Sequence, residues 1–116
     1  SRRYNKPSIM IVCEANYSNA HGTPWVYRER GIGSIVGMPV PGTMTSVNWE
    51  TLQDASMYFG IPVVGYRTKD GKYLENTQLE PDLKVRNDYD QVIDGRDQQL
   101  EVAVKELLRQ IDARRR

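Results

Sequence analysis

The stretch "PSIMIVCEANYSNAHGTPWVYRERGIGSIVG", residues 7–37, decides the fold. It opens with a continuous apolar run, Pro7–Glu14, of the kind that forms a strand buried on both faces of a parallel sheet. A polar, turn-forming segment follows. In "TPWVYRERG", Thr23 suits a helix cap, Pro24 the first helical position and Gly31 the stop, so a helix of two to three turns is expected there. A second short apolar run begins at Ser34 and passes into the proline- and glycine-rich "PVPG". Strand, helix and strand within some thirty residues make a crossover unit, the building block of an α/β protein.

The rest of the chain adds to this unit. "TMTSVNWETL" (43–52) alternates loosely, and "MYFGIPVVGYRT" (57–68) is aromatic and β-branched. "KDGK" (69–72) puts Asp-Gly at a hairpin turn before "YLENTQ", which predicts further strands, partly antiparallel, in a mixed sheet. "LEPDLKV" (79–85) reads as one more short extended piece. From Gly95 onward, Leu100, Ala103, Val104, Leu107, Leu108 and Ile111 recur at the spacing of one helix face, which predicts a C-terminal amphipathic packing helix.

Composition narrows the function. The chain has 116 residues, 39% of them hydrophobic, and a net charge of +1, the pattern of one globular domain with a modest core. Its basic residues gather in "SRRYNK" and "ARRR" at the two ends rather than on one face interleaved with aromatics, so no nucleic-acid partner is implied. No run of about 18 apolar residues marks a membrane span, and no signal-peptide pattern is present. The one cysteine, Cys13, excludes an internal disulfide and reads as a small buried residue. No Cys/His cluster has metal-ligand spacing, and nothing marks a nucleotide or phosphate site, so neither metal nor cofactor is expected.

Chemistry centres on Ser18. It lies beyond the carboxyl end of a buried strand and before a helix, where α/β proteins place reactive groups and where helix N–H groups face a developing oxyanion. A serine in such a turn also serves as a cap or turn former. His21, the only histidine, stands three residues on and has the spacing to approach the serine's face. A side chain one turn along the same helix is usually directed past the hydroxyl, which favours a structural or substrate-lining histidine over a general base. Pro24 has no N–H for the Ala20 carbonyl, so a helix starting at Ser18 would break or kink there.

These segments together carry a resemblance. "KPSIMIVCEANYSNAHG", "GIGSIVGMPVPGT", "GKYLENTQLEPDLKV" and "GRDQQLEVAVKELL", in that order from Lys6 to about Leu108, resemble the C-terminal half of the catalytic core of tail-specific (C-terminal processing) serine peptidases, and most of all the tricorn-like branch. The resemblance implies a Clp protease/crotonase-like α/β spiral, with residues 1–116 as a single domain from the C-terminal portion of a larger catalytic domain. It implies Ser18 as the nucleophile and the main-chain N–H of Asn19 as half of the oxyanion hole. The tail-specific branch has a lysine base after the glycine of the next loop; here Gly42 is followed by Thr43, so that dyad is absent. The tricorn-like branch uses an upstream histidine and a downstream glutamate. Glu75 matches the glutamate, and Glu80 is the rival, within a motif that looks like a turn at Pro81.

The implied activity is a serine-type endopeptidase acting on a peptide or protein substrate, its base lying outside this chain. His21, Gly42 and Thr43 are expected to line the substrate site, with "PVPGT" and the aromatics Trp25 and Trp49 as further candidates. The chain, starting at Ser1, is expected to be a fragment, nearly inert alone, and to form homo-oligomers or associate with the rest of its catalytic core. The alternative is a non-catalytic peptide-binding or assembly domain of a degenerate peptidase; a crotonase-like acyl-CoA enzyme fits less well.

Overall fold

The computed structural model describes residues 4–114; the outermost basic residues, in 1–3 and 115–116, lie outside the described set. The expected unit forms. β1 (Ile9–Val12) and β2 (Ser34–Gly37) run parallel, with Met10 opposite Ile35 and Val12 opposite Gly37, and α1 (Asn19–Glu29) connects them. The antiparallel strands β3 (Thr45–Thr51) and β4 (Tyr58–Gly65) pair with each other. The "LEPDLKV" piece supplies β5 (Leu83–Lys84), which adds in parallel to the other side of β2. A short helix, α2 (Tyr89–Ile93), precedes α3 (Gln98–Arg114).

Alternation along the strands divides the parallel sheet into two faces. Val12 and Ile35 point toward α1 and join Tyr27, Val40 and Leu79 in the buried cluster, with Met10 and Trp25 packed on it. The Ser34 side of the sheet takes α3, where Gln110 Nε2 donates to Ser34 Oγ at 3.0 Å. The sheet therefore lies between two helices. Asp82 of "LEPD" fastens β5 to this layer: its carboxylate accepts the Ile35 N–H at 2.7 Å and its own N–H returns to the Ile35 carbonyl at 2.8 Å. Arg28 of α1 reaches the same loop, donating to the Glu80 carbonyl and pairing with Asp82 at 3.3 Å.

Four expectations are corrected. The antiparallel strands form a separate two-stranded sheet instead of joining the parallel one, because β3–β4 packs chiefly on itself after the Pro39–Gly42 loop. "YLENTQ" is no strand: the Thr68–Gly71 turn forms, with Gly71 at φ 78°, but only the Arg67–Tyr73 bridge pairs across it. Cys13 is half-buried rather than buried, its Sγ 3.3 Å from Asn16 Oδ1. Finally, α1 begins at Asn19, not at Pro24, so Thr23 is not its cap and Pro24 lies inside it. The carbonyl that Pro24 leaves free belongs to Ala20, and the Asn16 side-chain amide donates to it at 2.8 Å, which removes the penalty that usually ends a helix there.

The other end of α1 follows expectation. Gly31 adopts φ 58°, the Ile32 N–H reaches the Tyr27 carbonyl and the Gly31 N–H that of Arg28, the paired bonds of a glycine stop. In α3 the apolar stripe is only partly covered: Ala103 is buried, whereas Leu100, Val104 and Leu108 are about half exposed. Equilibrium urea unfolding should separate these classes. Leu79→Ala, which empties a site at the core's centre, should cost about 2–5 kcal/mol, and Leu108→Ala should stay within about 0.5 kcal/mol of the parent.

Candidate active site

The turn between β1 and α1 is tied down by one side chain. Asn16 Oδ1 accepts the Cys13 N–H at 3.1 Å while its amide donates to Ala20, so a single residue spans from the end of the strand to the first turn of the helix. Between those anchors lies Ser18, at φ 54° and ψ −116°. For a residue with a Cβ this region is sparsely populated and costs about 1–3 kcal/mol. The hydroxyl does not offset that cost, because Ser18 stands at the N-cap position yet makes no side-chain capping bond. The Ser18 carbonyl accepts the His21 and Gly22 N–H groups, at 2.8 and 3.1 Å, and the Ala20 N–H goes to Tyr17. No acceptor among the described residues takes the Asn19 N–H, the first amide of the helix, which leaves a donor beside the serine.

Glu75 is held by the segment that follows Gly42. Its Oε2 accepts both the Met44 N–H and the Thr45 hydroxyl at 2.7 Å. The Thr45 hydroxyl, then the Met44 N–H, keep its carboxyl below the usual glutamate range, with nearby His21 adding to the effect. Oε1 has no partner among the described residues. The rival Glu80 is exposed and serves locally, accepting from Gln78 at 2.6 Å and facing Lys84 at 3.8 Å. Gly42 and Asn76 join the two segments: the Asn76 N–H donates to the Gly42 carbonyl at 2.6 Å, and a Cβ on Gly42 would collide with the Thr77 backbone. Thr43, next in line, is half-buried.

His21 differs from its expected substrate-lining role in one respect: it is 0% exposed in this chain. Its ring meets Trp25 edge-on at 6.1 Å, and the backbone of Thr43 and Thr77 and the charge of Glu75 lie close by. Neither ring nitrogen completes a hydrogen bond of normal geometry, so the imidazole does not hold the Ser18 hydroxyl. A buried polar group left in that state costs about 1–3 kcal/mol. Desolvation dominates its ionisation and pushes the pKa below the ordinary histidine value, against the smaller opposing pull of Thr43, Glu75 and Thr77.

A cleft of about 580 Å³ opens beside the turn. Asn19, Gly22, Thr23 and Val26 of α1 form one wall, and Met44, Tyr66 and Leu74 part of the other. Gly22 leaves room there, since a Cβ would lie 2.7 Å from Met44 Cε. Periodicity does not reveal this wall, because Met44, Tyr66 and Leu74 come from three separate segments. Trp25 lines the cleft, while Trp49 lies on the hairpin against Tyr58 and is 63% exposed. Among the described residues no helix is long and apolar enough to cross a membrane, and no group of three or more ligating side chains is placed to hold a metal.

A parallel β-sheet between helices, with a strained serine at the strand-to-helix turn, defines the class: a Clp protease/crotonase-like α/β core. Comparison with known proteins narrows it. The model of Peptidase family S41 matches residues 1–85, and the chain belongs to that family. A curated Chlamydia pneumoniae protein, CPj1016/CpB1054, is 26% identical over 83 residues, covering 70% of this chain and 13% of that protein. Among solved structures, the tricorn protease aligns with a TM-score of 0.80 at 19% identity, over 90% of this chain and 10% of that one. Mature CPAF aligns with a TM-score of 0.62 at 22% identity, over 70% of this chain and 16% of that one. The chain thus spans a small part of the length of the proteins it matches.

Two measurements follow from the local energetics. Ser18→Gly should raise the unfolding free energy by about 1 kcal/mol, whereas Ser18→Ala, which keeps the Cβ, should not. For His21 the folded pKa lies below the unfolded one, so the unfolded chain binds the extra proton as pH falls. Stability should therefore be fully present above the ordinary histidine pKa of about 6.5 and decline as pH drops through the folded value. Urea midpoints taken from pH 7.5 downward should show that decline in the parent and a flatter profile in His21→Phe.

Proposed function

We propose that this chain supplies the nucleophile of a serine-type peptidase, an endopeptidase of the tail-specific, tricorn-like kind. The observation that carries the reading is the Ser18 turn: a strained serine whose hydroxyl is not used as a cap, beside an uncommitted helix N–H, in a member of a peptidase family. Ser18 Oγ attacks the peptide carbonyl carbon and forms the acyl ester as the C–N bond breaks. A general base from outside this chain, a histidine by the family resemblance, takes the hydroxyl proton and returns it to the leaving amine. Water then hydrolyses the ester and restores the serine. The Asn19 N–H stabilises the oxyanion in both steps.

Glu75 serves as an organising carboxylate. Two donors fix Oε2 and keep the group ionised, which leaves Oε1 to orient partners at neutral pH. Gly42 and Thr43 belong to the loop bordering the substrate, and the cleft beginning at Asn19 accepts a substrate side chain, apolar in preference because Val26, Met44, Tyr66 and Leu74 face it. The domain works as the C-terminal portion of a larger catalytic unit and associates with the remainder of that core or with further copies. The substrate strand pairs in extended form, a common mode for peptide recognition. Without its base the chain alone is nearly inert, since removing one member of a triad costs several orders of magnitude.

A fluorophosphonate probe tests this in the full-length protein. Covalent labelling should map to Ser18 and vanish, together with peptide hydrolysis, in Ser18→Ala. Hydrolysis that persists in Ser18→Ala would sink the assignment, and an unlabelled but folded protein would favour the non-catalytic peptide-binding reading.

A further inference from the structure

Three segments of the chain meet at His21. Its own N–H bonds the Ser18 carbonyl at 2.8 Å, so the ring rides on the nucleophile turn. Close to the ring lie the backbone of Thr43, in the loop after Gly42, and that of Thr77, in the segment carrying Glu75. Those two segments behave as one unit, since the Asn76 N–H reaches the Gly42 carbonyl, Gly42 has no room for a Cβ, and Glu75 takes the Met44 N–H and Thr45 hydroxyl. Met44 also packs directly against Gly22, where a Cβ would lie 2.7 Å from its Cε. A buried polar ring at such a junction calls for an explanation that simple filling does not supply, because an apolar side chain would fill it without orphan nitrogens.

Resting on the reading of Ser18 as nucleophile, the geometry points to His21 as a positioning residue: its neutral imidazole N–H donates to the Thr43 or Thr77 carbonyl and holds the Gly42–Thr45 loop and Glu75 in register with the serine. A neutral imidazole has one donor and one acceptor, so only one of the two carbonyls is served at a time. That bond closes when substrate orders the site, as hydrogen bonds of catalytic sites often do only in the loaded state. His21 touches no reacting atom. It acts through the loop that walls the cleft and through the carboxylate of Glu75.

The test uses the full-length protein and compares His21→Phe, which keeps a ring but removes the donor, with His21→Asn and His21→Gln, which restore an amide donor near the two ring-nitrogen positions. His21→Phe should lower kcat by about tenfold to a hundredfold, the cost of a small misplacement, while KM stays within about twofold. At least one of the amide variants should recover most of kcat. Wild-type kcat in His21→Phe, or amide variants no better than Phe at equal thermal stability, would overturn the proposal. Should His21→Phe fail to fold, nitrogen NMR of the wild-type fluorophosphonate adduct decides: a single, slowly exchanging ring N–H at neutral pH supports the bond, and a rapidly exchanging one refutes it. Ser18 labelling is read in parallel, so a failure of the nucleophile assignment is distinguishable from a failure of the His21 role.

Discussion

The Ala20 carbonyl is the point on which the turn depends. Pro24 denies it a helical partner, and an unpaired carbonyl in the first turn would pull α1 back to a later start. The Asn16 amide fills that vacancy from outside the helix, while its oxygen holds the Cys13 N–H at the end of β1. With both ends clamped by one side chain, only Tyr17 and Ser18 remain to connect strand bracket and helix. The backbone there has little choice, and the positive φ of Ser18 is the result. Strain at the serine is thus sustained by hydrogen bonds that cost the site none of its own polar groups.

Around this turn the sheet performs a simpler service. β2 is the central strand, with β1 and β5 on its two sides, and Val36 and Ile35 are both fully buried between the helices. Gly37 ends the strand at φ 129° with the Val12 carbonyl where a Cβ would stand, so the chain leaves the sheet in close contact with the strand that leads to Ser18. From there the Pro39–Gly42 loop carries the backbone to Glu75's donors, Met44 and Thr45. The route from Ser18 to Glu75 is a short chain of backbone contacts rather than an arrangement of long side chains.

Much of this architecture is legible in the amino-acid order. The apolar runs at Ile9 and Ser34, the Gly31 stop and the long C-terminal periodicity correspond to observed elements because each depends on local rules. Ser18 was also visible as a candidate, from its place after a buried strand. The start of α1 was not, since the rule that proline opens helices competes with a side-chain bond from eight residues upstream that no periodicity displays. The burial of His21 was hidden for a similar reason: the backbone around it comes from residues 43 and 77, far away in the chain. The apolar stripe of α3 showed helix and face correctly, but not that its Leu100, Val104 and Leu108 edge would stay half exposed.

The β3–β4 hairpin has a consequence for motion. Its seven paired positions are bonded almost entirely to each other, and Trp49, Tyr58, Phe59, Ile61, Val63 and Val64 remain exposed along it. Among the described residues no layer covers this face, and a two-stranded sheet in that state is marginal in water. Its backbone amides can open without disturbing Ile35 or Leu79, so the chain carries two levels of local stability. The physical consequence is uneven protection: the hairpin is expected to exchange its amide protons by local opening, and the β1–α1–β2 unit that frames Ser18 only by larger unfolding.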